Sequence, residues 1–259
     1  MKKLAVLIAL AVCLLAYSPA SAHDMWATAV GAAPGQGLTA NIGYGHRFPA
    51  MEDIPAGELP FFQIWAVGPD GRIDLTQGSP NYVFTSETKL AKGTYLVVSD
   101  VRPIYWTRTT TGQWEMKPRN EVPGAVSCEN AIENAKGIIA VDGDAAGALA
   151  TAAQGLPLEI VPLVHPATVR AGQALPIQVL FEGKPLAGAE VKARYNGFPG
   201  VASDTAMAFT DTTDQEGKVN FVPLAAGEWI VLVRNDTPYS GPDTCDKNSY
   251  GHNLHLVIN

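Results

Sequence analysis

His23 and His46 are the residues whose type and position point to chemistry. His23 follows Ala20-Ser21-Ala22, a small-x-small cleavage site behind a basic pair, Lys2-Lys3, and an apolar run from Leu4 to Tyr17. Cleavage after Ala22 is expected to leave a free α-amine on His23. An α-amine has an ordinary pKa of about 7.7, so a metal ion can displace its proton near neutral pH. The amine and the Nδ1 of the same imidazole then close one chelate ring, which an internal histidine cannot do. The plain alternative is a cleavage site that merely happens to precede a histidine. His46 continues the parity of Leu38, Ile42 and Tyr44 and sits between Gly45 and Arg47, where a strand gives way to a loop. Side chains at such rims are open to ligands.

Other ligating residue types fall into a second tier. Asp24 adjoins the proposed amino terminus and can supply an oxygen or orient an imidazole. Glu52 and Asp53 follow the His46 loop, where a solvated face is the ordinary role. His165 precedes Pro166 at the first strand of the second half and reads as structural. His252 and His255 lie on the last strand, Tyr250 to Ile258, and three residues apart they face opposite sides of it. They do not form a ligand pair, and His252 is kept only as a second-tier candidate.

Composition narrows the setting. Removing 22 of the 259 residues leaves 237, and losing the leader's two lysines leaves 16 Lys+Arg against 25 Asp+Glu, a net charge of −9. A basic footprint for nucleic acid is absent. The leader's apolar run is shorter than the roughly 20 residues a membrane span needs, and no later stretch reaches that length. A periplasmic protein is therefore expected. Cys128 and Cys245 survive processing, and in an oxidising compartment an even pair reads as a disulfide joining the two halves. The alternative, a thiolate metal site, lacks a ligand-spaced Cys or His beside either cysteine.

The elements that must position these residues read as strands. Alternation runs through Leu38 to Tyr44, and apolar or β-branched runs cover Phe61 to Val67 and Thr94 to Val101. Gly68-Pro69-Asp70-Gly71 marks a turn. Glu129 to Ile139, with Ile132, Ala135, Ile138 and Ile139 at helical spacing, predicts a helix, followed by an Ala/Gly-rich linker to Gly155. Beyond it, Leu175 to Phe181 and Val191 to Tyr195 alternate, and Trp229 to Val233 is apolar on both faces, as in a central strand. The expected fold is all-β: two β-sandwich domains, the second immunoglobulin-like or transthyretin-like, joined by a short helix and linker. The boundaries are 1–22 for the signal peptide, 23–126 and 156–259 for the sandwiches, and 127–155 for the connection.

Several stretches carry a resemblance: His23-Asp24-Met25-Trp26, Gly43-Tyr44-Gly45-His46-Arg47-Phe48-Pro49, Leu158 to Pro162, Gly183 to Ala189, and Asp214 to Trp229. Together the chain resembles a secreted two-domain family, once filed as a domain of unknown function. Some of its members are encoded with energy-coupling-factor nickel/cobalt importers. The resemblance implies a periplasmic protein, not an enzyme, that captures Ni(II) or Co(II) and delivers it to membrane-embedded importer subunits. The donor types also suit Cu(II) or Zn(II). Two alternatives stand beside this reading. One is a copper enzyme of the histidine-brace kind, built on His23 and His46. The other is a metal-free cell-envelope binding module.

Overall fold

The computed structural model describes residues 24–45, 47–199 and 206–259, which fold almost wholly into strands linked by turns. The first half supplies β1 (Asp24–Gly31), β2 (Thr39–Gly45), β3 (Phe62–Gly68), β4 (Gly71–Asp74), β5 (Thr76–Gln77) and β6 (Val83–Thr85). It continues through β7 (Gly93–Val101), β8 (Ile104–Thr109), β9 (Trp114–Glu115) and the long β10 (Ala125–Val141). The second half adds β11 (Leu158–Pro162), β12 (Leu175–Phe181), β13 (Lys184–Pro185), β14 (Glu190–Tyr195), β15 (Phe209–Thr212) and β16 (Lys218–Phe221). The last two strands are β17 (Gly227–Pro238) and β18 (Lys247–Ile258).

These strands form three sheets. A ten-stranded central sheet runs β15-β14-β17-β18-β10-β7-β3-β4, with β8 and β9 continuing from β10. Strands from both halves of the sequence meet in it where β10 pairs in parallel with β18, from Glu129 opposite Lys247 to Gly137 opposite His255. On its other edge β10 pairs antiparallel with β8 and then β7. The sheet β1-β2-β6-β5 covers one face of the central sheet, packing Met25, Ala27 and Ile42 against Val97 and Ala135. The sheet of β11, β12, β13 and β16 covers the other, packing Ile160 and Ile177 against Val98, Ile138, Trp229 and Leu254. This is an all-β sandwich architecture in which β17, as its sequence implied, is buried on both faces: Trp229, Val231 and Val233 on one, Ile230 and Leu232 on the other.

The helix expected between Glu129 and Ile139 is a correction: those residues lie in β10, and the following loop holds only a 3-10 turn at Ala148–Thr151. The strand period is hidden in the sequence because polar residues take buried positions on it. Asn134 and Lys136 point to one face, where His252 and Glu159 partner them. On the opposite face a Cβ on Gly137 would stand 2.1 Å from the Ala27 carbonyl oxygen, so β1 can cross there only over a glycine. Tertiary pairing overrides a short run of helical spacing. Cys128 and Cys245 are disulfide-bonded, with their α-carbons 4.9 Å apart, tying β10 to the turn before β18.

Candidate functional site

The last described pair of the β1–β2 ladder is Asp24 opposite Gly45. His23 and His46, the next residue beyond each, lie outside the described residues, as does the leader. Just inside the ladder's end, Trp26 lies opposite Gly43, and its fully buried indole covers the glycine so closely that a Cβ there would sit 1.9 Å from the ring. Phe48 meets the same indole edge-on at 5.5 Å between centroids. Glycine at 43 and aromatics at 26 and 48 thus fix how the strand end and its following loop sit on Ile230 and Leu232.

Charged groups from three strands of the central sheet converge on Asp24. Arg194 of β14 donates from Nη2 to Asp24 Oδ2 at 2.7 Å, and Arg234 of β17 stands 3.8 Å from Oδ1. Arg234 also donates to Glu133 Oε1 of β10 at 2.6 Å. Burial pushes the Glu133 carboxyl up, and Arg234 opposes that shift. The Glu133 charge in turn raises Arg234. With both carboxylate oxygens facing guanidiniums, Asp24 anchors the start of β1 to the central sheet.

The loop after β2 brings more carboxylates. The Glu52 backbone N–H donates to the Tyr44 carbonyl at 2.8 Å, and a Cβ on Gly45 would stand 3.0 Å from Glu52 Oε1. The Tyr44 hydroxyl donates to Glu58 Oε2 at 2.7 Å. Burial first, then Glu58, Glu52 and Glu133, push the Tyr44 phenol far above its ordinary value, so it stays protonated. Asp53 is exposed on the same loop. The ends of β1 and β2 are therefore bordered by the carboxylates of Glu52, Asp53 and Glu58 on one side and by the paired Arg194, Arg234, Asp24 and Glu133 on the other. Among the described residues, no group of three or more His, Cys, Asp or Glu is arranged to hold a metal ion.

The other histidines separate cleanly. His252 is not beside Asp24: it faces the opposite side of the central sheet, fully buried, with Nδ1 against Asn134 Oδ1. Burial, and then the Lys136 charge, hold it well below its ordinary pKa. His255 faces the β1 side, its ring 6.0 Å from Phe48 and its Nε2 3.7 Å from Glu228. It is buried, and among the described residues neither ring nitrogen has a hydrogen-bond partner. His165 follows β11 instead of lying on it and caps a 3-10 turn at Pro166–Thr168: its Nδ1 accepts from Ala167 N–H at 3.1 Å. Its Nε2 is thereby left to donate to Thr94 Oγ1 at 2.9 Å, which donates on to Asp144. The structural role expected for His165 has this physical form. Arg194, Arg234 and Glu133 were not legible as site residues, since nothing in a single sequence separates them from other charged strand residues.

Among solved structures, the chain is similar to the central fibronectin-III array of RIM-binding protein, at 10% identity over 93% of this chain and 70% of that one, with a TM-score of 0.22. It is similar to the D00-D0 domain of Intimin, at 10% identity over 91% of this chain and 100% of that one, with a TM-score of 0.21. It is also similar to the fibronectin(III)-like modules of Clostridium thermocellum CbhA, at 10% identity over 88% and 93% of the two chains, with a TM-score of 0.19. No curated protein matches the sequence. Residues 20–237 match the family described as a domain of unknown function, DUF4198, and the chain belongs to that family.

Proposed function

We propose that the processed protein binds one divalent transition-metal ion through His23 and His46 in the periplasm and passes it to membrane-embedded importer subunits, with no chemical step of its own. The observation that carries this reading is the register at the end of β1 and β2: Asp24 faces Gly45, and each histidine is one residue beyond that opposed pair. Adjacent α-carbons are about 3.8 Å apart, so both histidines are tethered within a single residue of one ladder rung. Three nitrogens are then on hand, from the His23 amine, its imidazole and the His46 imidazole.

Supporting features are the Trp26–Gly43 lock, which holds the rung in place, and the Glu52 carboxylate beside Gly45. A nitrogen-rich borderline donor set suits Ni, Co, Cu or Zn, and Cu(II) would bind most tightly by the Irving–Williams order. The preference for Ni(II) or Co(II) and the importer partner rest on the family resemblance. Few protein ligands leave coordination positions through which a partner can take the ion.

Calorimetric titration of mature protein starting at His23 with Ni(II) and Cu(II) tests the reading. His46→Ala, and protein whose His23 amine is acetylated, are each expected to weaken binding by about tenfold or more, a change of about 1.4 kcal/mol. Binding equal to that of the unaltered protein in both altered proteins overturns it.

A further inference from the structure

We propose that a polar groove beside the Asp24 cluster binds a neutral, polyhydroxylated ligand, a short glycan, independently of any metal. The groove forms beyond the Glu190 end of β14, where that strand begins. The β14–β17 ladder ends with Val191 opposite Val233, while β17 and β18 continue together to Pro238 opposite Lys247. The space left beside that ribbon is about 500 Å³, within the range of pockets that take small molecules. Arg234, Asp236, Lys247, Ser249 and Glu129 line it, together with Trp114 from β9.

The charges in this groove are already matched. Lys247 Nζ lies 2.6 Å from Asp236 Oδ2 and 3.5 Å from Glu129 Oε2, and Arg234 is bound to Glu133 at 2.6 Å. An anionic ligand would have to displace a carboxylate from each cation, and a cationic one could gain only the second of the two carboxylates that share Lys247. A neutral ligand meets no such competition. Each ion-paired carboxylate keeps unused lone pairs, and the ammonium and guanidinium keep unused N–H groups. Held by one another, these groups present fixed donors and acceptors suited to neighbouring hydroxyls. An apolar ligand would strip water from this lining without replacing its hydrogen bonds.

Trp114 supplies the second half of the recognition. Its side chain is 39% exposed, a flat apolar face at the margin of a polar trough. A pyranose has one face of C–H bonds and a rim of hydroxyls, so it can lie on the indole and turn its hydroxyls to the charged floor.

Titration of the mature full chain with chitotriose, cellotriose and maltotriose tests this, with spermine as a cationic probe. At least one trisaccharide is expected to bind, and binding should survive a rise in salt because no net charge is neutralised. Trp114→Ala and Asp236→Asn should each weaken that binding by about tenfold or more. His46→Ala should leave it unchanged, which separates this groove from the metal reading. Circular dichroism of both groove variants establishes that they are folded. Absence of binding by all three sugars overturns the proposal. So does unchanged affinity in folded Trp114→Ala, or salt-sensitive binding of spermine alone.

Discussion

Strand β10 carries charge to both faces of the central sheet, and the two faces treat it in opposite ways. Toward β11, Lys136 Nζ meets Glu159 Oε1 at 2.6 Å with both side chains 1% exposed. Glu159 also accepts the backbone N–H groups of Gln154, Gly155 and Leu156, so it pins the end of the 142–157 loop to the sheet. Beside it His252 and Asn134 face each other, sealed from solvent. Toward β1, Glu133 joins Arg234, Arg194 and Asp24 at the rim of the β1–β2 ladder. The first cluster is closed: burial pushes the Lys136 ammonium down and Glu159 counters it. The second is partly wet and ends where the candidate ligands begin. Polar residues on one strand thus close a buried cluster on one face and border the candidate site on the other.

The largest expected effect breaks the closed side. Glu159→Ala leaves Lys136 buried without its counter-charge and frees the N–H groups of the loop, a loss of about 3–5 kcal/mol that a fall in the urea midpoint would register. A change below about 1 kcal/mol would mean that the pair is not a structural keystone. Next comes the covalent tie. Replacing Cys128 and Cys245 together by alanine removes the cross-link over a separation of 117 residues, with an expected loss of about 2–4 kcal/mol by equilibrium unfolding.

Gly43→Ala acts on the open side. The added methyl collides with the Trp26 ring, and overpacking of this kind costs about 1–3 kcal/mol. It should also weaken metal binding, because the ladder end shifts. Intact metal affinity in a destabilised Gly43→Ala protein would separate the rung from the site.

The smallest effect is a pH dependence. His252 has a folded pKa well below the ordinary value of 6.5 that it takes in the unfolded chain. Below pH 6.5 the unfolded chain takes up a proton that the folded one refuses, so stability falls with acidification through that window. It does so by at most about 1.4 kcal/mol per pH unit for one proton. His165 is lowered by burial as well and contributes with the same sign. His252→Gln should flatten the dependence measured as urea midpoints between neutral and mildly acidic pH. An unchanged slope would assign the effect elsewhere.

Most of the strand architecture was legible because one-sided burial writes a period of two into segments such as β2, β12 and β14. The disulfide was legible because the two cysteines outside the expected leader have one intramolecular pairing. β10 was misread for the same reason that it matters: Asn134 and Lys136 occupy buried positions that a sequence pattern assigns to apolar residues. The sharing of one sheet by both halves, through β10 and β18, depends on long-range pairing that carries no local signal. At the candidate site, the strand leading to Gly45 could be read from its alternation, whereas Arg194, Arg234 and Glu133 are brought to Asp24 from three distant segments.

The most direct test is electron paramagnetic resonance of the Cu(II)-loaded mature protein. Coupling to three directly bound nitrogens is expected when the chain starts at His23 with a free amine, falling by one in His46→Ala and by one when the His23 amine is acetylated. A nitrogen count that is the same in all three proteins would contradict a site anchored on the His23 amine and the His46 imidazole.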